Sequence, residues 1–156
     1  MATRLTLQPP RMSGFTLIEL MVTLVVATVL LTIAIPAYQN QIRESRRTQA
    51  KTAVLDLAGR EETLFSTTNA YSTLPSAVGY GAGAFPMQVG NDYYAVNVQV
   101  PNPTEPAPSF LVTALPVGGT SQALDAACQS FSVDQLGNQM ALDSGGADNS
   151  KTCWGN

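Results

Sequence analysis

The sequence predicts an α+β chain in which one long N-terminal helix packs on an antiparallel sheet of about four strands. Three features carry that expectation. No side chain between Glu19 and Arg43 is charged, and most of that stretch is one long apolar run. After Pro36 a helical stripe of apolar residues continues among charged ones. Beyond about Ser66 the pattern changes to short alternating runs separated by Gly, Pro and Asn. A chain of 156 residues has room for one modest head domain besides such a helix.

Composition narrows the chemistry before any element is placed. There is no histidine, only 12% of residues are charged, and the two cysteines are too few for a cysteine-based zinc site. The commonest general base is missing, and no nucleophile–histidine pair can form. Glu61 and Glu62 are neighbours and diverge by about 100° on a helix, so they are not a paired acid and base. Gly79-Tyr80-Gly81-Ala82-Gly83 joins no strand to a helix and lacks a phosphate-holding Lys-Ser/Thr, which makes it a loop. The stretch Asp143–Lys151 lacks the alternating carboxylates and closing Glu of a calcium hand and reads as a solvated turn. No enzyme activity, cofactor or metal is expected.

The first element runs from Phe15 to Ile35, FTLIELMVTLVVATVLLTIAI, with Glu19 as its single ionisable side chain. As a helix it spans roughly 31 Å, the thickness of a bilayer core. Arg4 and Arg11 precede it, which places the short N-terminal tail in the cytoplasm and the rest on the far side. A cleaved secretory signal has a shorter apolar stretch and a small-residue cleavage site after it. A plain single-span anchor explains the length but not Glu19. A carboxylate inside the apolar run costs about 3 kcal/mol on insertion scales, so a partner is to be sought, and its own helix offers no cation within one turn. An α-amino group created by cleavage at the Gly14–Phe15 bond would supply one.

Gly14-Phe15-Thr16-Leu17-Ile18-Glu19, behind a short basic leader and ahead of a long apolar helix, resembles the class III signal of type IV pilins and pseudopilins. The resemblance implies a pilin-like fold and a structural role. A prepilin peptidase would cut after Gly14, N-methylate Phe15 and leave the helix in the inner membrane, N-terminus inside and C-terminus outside. Other pilin subunits and the inner-membrane pilus assembly platform would be the partners, and the extracellular pilus the destination. Glu19 would then neutralise the N-terminus of a neighbouring subunit as it docks. The implied organisation is a leader over 1–14, a membrane and filament-core helix over 15–36, an amphipathic helix half over 37–66 and a head over 67–156.

Pro36 is expected to kink the helix, because it removes one hydrogen bond and crowds the carbonyl of residue 32; a helix that simply ends at the membrane surface is the alternative. In the second half Ala50, Ala53, Val54, Leu57, Ala58 and Leu64 form the stripe that would hold the head. Arg43, Arg46, Arg47, Lys51 and Arg60 against Glu44 and Asp56 give residues 43–60 a net charge of +3, whereas residues 61–156 stand at −7. The basic stretch is expected to be a solvated helix face, with contacts to acidic surfaces of neighbouring subunits as the alternative.

In the head, residues 67–92 read as a loop-rich connection in which Tyr71, Tyr80 and Phe85 cover either the core or a subunit contact. Strands are expected at Tyr93–Val100, Phe110–Leu115, Gln129–Asp134 and Gln139–Leu142, with the proline-rich PNPTEPAP as a loop after the first. The far side of the membrane is oxidising, so Cys128 and Cys153 are expected to form a disulfide, and they resemble the disulfide-bounded C-terminal region of many type IV pilins. Two buried thiols are the alternative.

The span after Pro36, CQSFSVDQLGNQMA and the closing Cys153-Trp154 look most like PilE-type minor pilins. By that resemblance the chain would support pilus biogenesis, twitching motility and adhesion. A major pilin, a type II secretion pseudopilin and a DNA-uptake competence pilin remain alternatives. The acidic head lacks the basic stripe that phosphate binding uses, so no specific nucleic acid is expected.

Overall fold

The computed structural model describes residues 14–103 and 107–155. Arg4, Arg11 and the rest of the leader before Gly14 lie outside the described residues, as does the Thr104–Pro106 part of the proline-rich loop. The chain divides into two compact units, one ending at Gln39 and the other covering Asn40–Asn156.

A single helix, α1, is continuous from Leu17 to Thr68 and contains Pro36. In the first unit its residues are exposed on every face, including Leu20, Val25, Leu30 and Ile33. A window of this helix has a mean hydropathy of 2.5, enough in length and composition to cross a membrane. The hydroxyls of Thr23, Thr28 and Thr32 donate to the carbonyls of Leu20, Leu24 and Val29 at 2.9, 2.8 and 2.7 Å. They therefore present methyl groups outward and leave no unpaired donor on an apolar surface.

In the second unit α1 turns amphipathic, and Ala50, Val54, Leu57, Ala58 and Glu61 are its buried positions. The expected stripe is present, with Ala53 and Leu64 packed at its margin. It lies against a five-stranded antiparallel meander: β1 (Met87–Val89), β2 (Tyr94–Asn102), β3 (Ser109–Pro116), β4 (Ser130–Asp134) and β5 (Gln139–Leu142), in that spatial order. A short helix, α2 (Ser150–Trp154), closes the chain. The inner face follows from strict alternation: Tyr94, Val96 and Val98, then Phe110, Val112 and Ala114, then Phe131 and Val133, then Ala141 are all buried. Register lines them up in rows, Val96 opposite Ala114, Ala114 opposite Phe131 and Phe131 opposite Ala141. Small residues thus alternate with large ones across neighbouring strands.

Four of the strands lie where alternation places them. β1 was expected to be loop, and it is a strand because tertiary pairing with Tyr94–Val96 supplies the hydrogen bonds that its three residues are too short to signal. Its link to β2 runs through Gly90, Asn91 and Asp92, all with φ between 55° and 64°. Gly90 is also a close-packing position, since a Cβ there would stand 2.9 Å from Gln49 Oε1. β2 also runs two residues into the segment expected to be loop: Pro101 and Asn102 are strand, because Pro101, which lacks an N–H, falls where the β2–β3 register shifts between Gln99 and Asn102.

Cys128 and Cys153 form the expected disulfide, with Cα atoms 5.8 Å apart and both residues buried. It ties α2 to the start of β4. Their sequence separation of 25 corresponds to about 3.5 kcal/mol in the chain-entropy account. Replacing both cysteines by alanine should therefore lower the melting temperature of the head; a melting curve that is unchanged under reductant would contradict this contribution.

Candidate functional site

Two places carry chemistry, one in each unit. In the first unit Gly14 and Phe15 immediately precede α1, and Phe15 is 83% exposed. The Thr16 hydroxyl accepts the Glu19 amide N–H at 3.2 Å, and Thr-x-x-Glu is the spacing of a capping box. Glu19 therefore sits in the first turn of α1, where a carboxylate is favoured by the free N–H groups of the helix end. Its side chain forms no ion pair among the described residues.

In the second unit the basic stretch of α1 is not the solvated face expected from sequence. Arg47 donates through Nε and Nη2 to Asp125 Oδ2 and Oδ1, each at 2.7 Å, a bidentate pair with Asp125 buried. This contact holds the Arg47 guanidinium above its ordinary pKa against the opposing effect of burial. Asp125 Oδ2 also accepts from Gln122 Nε2 at 3.1 Å, and the same Nε2 lies 2.9 Å from the Tyr94 hydroxyl. Burial pushes the Tyr94 phenol up to about 12. Arg46 stacks over the Tyr93 ring at 3.5 Å and donates to the Ser121 hydroxyl at 2.6 Å.

Farther along α1, Lys51 lies 6.0 Å over the Trp154 ring and donates to the Trp154 carbonyl at 3.4 Å. Burial lowers its pKa. Arg60 pairs with Asp56 at 2.9 Å, faces the Tyr80 ring at 5.1 Å and donates to the Val78 carbonyl at 3.3 Å. Four of the five cations in residues 43–60 are thus spent on the head of their own chain. The reason is geometric. They flank the apolar stripe, so the strand ends and connections that cover the stripe meet them first. Arg43 has neither an ion pair nor a ring contact among the described residues.

The carboxylates after Arg60 are tied up in the same way. Glu62 accepts the Tyr71 hydroxyl at 2.9 Å and Asp56 that of Tyr80 at 2.9 Å, which fixes the residue 69–86 connection to the helix. Tyr71 belongs to the core, stacked on Phe65 at 4.7 Å and edge-on to Phe110 at 4.8 Å. Tyr80 and Phe85 pack against the core's margin. Asp143 Oδ1 accepts from the N–H groups of Gly145 and Ala147, and Asp148 Oδ1 from that of Ser150. The acidic loop uses its carboxylates to close itself. Sequence reading missed Asp125, whose signal is one carboxylate in the otherwise neutral run Ser121–Cys128, and Trp154 as the seat for Lys51.

The comparisons match this arrangement in two steps. Residues 10–35 match the prokaryotic N-terminal methylation motif, which marks a prepilin-like chain. Residues 36–132 match the family described as "Type IV minor pilin ComP, DNA uptake sequence receptor", and the chain belongs to that family of type IV minor pilins. It is also 35% identical over 71 residues to the "Type IV major pilin protein PilA" of Myxococcus xanthus (strain DK1622). That stretch is 46% of this chain and spans about a third, 32%, of the relative's length.

Removing Arg47 strands the Asp125 carboxylate in the interior. Arg47→Ala should destabilise the head by about 3 kcal/mol, and Asp125→Ala added to it should cost less than the two single changes summed. Strict additivity in urea unfolding would show that the pair is not coupled.

Proposed function

We propose that this chain is made as a prepilin, cut between Gly14 and Phe15 by a prepilin peptidase, N-methylated at Phe15 and assembled with other pilin subunits into a type IV pilus. It acts as a structural subunit with no catalytic role. The observation that carries the reading is the coincidence of Gly14, Phe15 and a first-turn Glu19 at the head of a helix that is apolar on every face. Cleavage there removes the polar leader and keeps the anchor, so the product waits in the inner membrane, N-terminus inside, for the assembly platform. The new amine stays cationic after methylation, and in a low-dielectric filament core it and Glu19 of a neighbouring subunit each supply the charge the other lacks. Pro36 is the point at which the helix bends, between a membrane and filament-core part over 15–36 and the part over 37–66 that carries the head over 67–156. Extension of such filaments supports twitching motility and adhesion.

Two substitutions separate the steps. Gly14→Trp should leave a full-length precursor in the inner membrane, and a mass spectrum showing a chain that begins at Phe15 would reject the assigned bond. Glu19→Val should insert and be processed normally but be recovered in sheared filaments at least about tenfold less, the loss expected when an ion pair of more than about 1.4 kcal/mol is removed; equal recovery would reject charge pairing.

A second reading, reception of DNA, is favoured by the family's own description as a DNA uptake sequence receptor. Against it stands the commitment of Arg46, Arg47, Lys51 and Arg60 to intramolecular contacts, which leaves Arg43 and Lys151 as the cations of the described residues without an ion pair or ring contact. Titrating the full-length protein in detergent with duplex DNA over a salt series distinguishes the readings. DNA reception requires binding that weakens as salt rises and weakens uniformly on Arg43→Ala or Lys151→Ala, whereas no retardation at low salt leaves the filament role alone.

A further inference from the structure

Among the described residues Glu61 is the buried carboxylate that the contacts above leave without an account. It occupies the apolar stripe of α1 in line with Val54, Leu57 and Ala58, and its side chain has no exposure. Glu61 Oε2 accepts the Ser72 N–H at 3.1 Å, while Oε1 has no hydrogen-bond partner among the described residues. Buried polar atoms of folded proteins are nearly always paired, and a carboxylate ion kept in the interior with a single hydrogen bond is strongly disfavoured.

The groups around it do not relieve that cost. Beside it on α1 is Glu62, whose carboxylate adds repulsion, and from the following connection comes Tyr71, whose hydroxyl is given to Glu62. The nearest cation in sequence, Arg60, points to Asp56 and the Val78 carbonyl. No Lys or Arg occurs between Glu61 and Ser150. Burial accordingly moves Glu61 above the usual carboxylate range, with the Ser72 N–H opposing and Glu62 reinforcing the shift.

We propose that Glu61 is a proton-gated latch: in its neutral form it holds the Asn69–Pro75 segment over the core, and on losing its proton it releases that segment. The segment's other ties are those that ionisation has to overcome: the Tyr71 N–H donates to the Pro103 carbonyl at 3.3 Å, its hydroxyl holds Glu62, its ring packs on Phe65 and Phe110, and the buried Pro75 accepts the Tyr80 N–H at 2.8 Å. When Glu61 ionises, the smallest movement that brings water to it lifts Ser72 and its neighbours, and this uncovers the Phe65, Tyr71 and Phe110 cluster. The sign follows from linkage. Because the folded state binds the proton more tightly than the unfolded chain, the stabilisation is complete below the ordinary carboxylate pKa and is lost as pH rises through the raised value.

The full-length protein in detergent micelles tests this between about pH 4 and about pH 9, with wild type compared with Glu61→Gln, whose side chain retains an acceptor for Ser72 and cannot ionise. The wild-type melting temperature should fall with rising pH relative to that of the variant. Exchange of the Ser72 amide should rise at least about tenfold relative to the variant at the upper end, the comparison at equal pH cancelling base catalysis. Parallel profiles in the two proteins overturn the latch. Should Glu61→Gln not fold, the carboxyl carbon resonance of wild-type Glu61 decides alone. A midpoint above the ordinary carboxylate range, accompanied by a change in the Tyr71 ring signals, supports the latch. A midpoint within that range, or ionisation without movement of Tyr71, overturns it.

Discussion

The packing of one helix stripe on one sheet face is the constraint on which the head depends. Ala50, Val54, Leu57 and Ala58 of α1 are buried in one core with Tyr94, Phe110 and Phe131, so the largest residues of that core come from the sheet. The helix carries charged side chains beside its buried stripe, and groups that follow or precede the strands meet them. Tyr93, Asp125, Trp154 and Tyr80 are the groups that do, and each takes one cation through a ring or a carboxylate.

These contacts differ in what they contribute. The Arg60–Asp56 pair is exposed and adds little, as surface pairs do. The Arg47–Asp125 pair is bidentate, half enclosed and extended by Gln122 to the Tyr94 hydroxyl, so it fixes the Ser121–Leu124 turn in one position over the helix. Its value lies in specificity more than in net energy, since a well-packed apolar replacement of both partners would be tolerated better than loss of either one. The disulfide and the Phe131–Trp154 edge contact at 5.8 Å hold the next turn of the same surface, where Trp154 receives Lys51. The head is thus held to α1 at several separated points along one stripe.

How much of this was legible depended on the range of the interaction. The apolar run, the stripe through Ala50, Val54, Leu57 and Leu64 and the strands expected at Tyr93–Val100 and Phe110–Leu115 are written in local periodicity, and alternation puts Tyr94, Val96 and Val98 on one face. β1 was not legible, because three residues carry no period and their pairing is set by the strand they meet. The destiny of the basic residues was not legible either. Charge in sequence says nothing about what lies opposite, and only the fold brings Asp125 to Arg47 across a separation of 78 residues. Glu61 was the converse case: its position on the stripe was visible in the spacing, yet a charged residue type argued for solvent.

The same commitment of charge bears on how the chain meets partners. Residues 43–60 carry +3 and the remainder after them −7, a polarity that suggests attraction between the base of one subunit and the head of another. Most of that positive charge is neutralised or covered within the chain, so its field outside is weaker than the count implies and is screened within about 8 Å at physiological salt. Long-range electrostatics is therefore a poor organiser of contacts between these heads. The segment before Gln39 has the opposite character among the described residues: Thr23, Thr28 and Thr32 donate within the helix, the apolar side chains are uncovered on all sides, and Glu19 forms no ion pair. Dispersion and exclusion of water act along such a surface without favouring one register, whereas a carboxylate in an apolar run is costly wherever it is left unpaired.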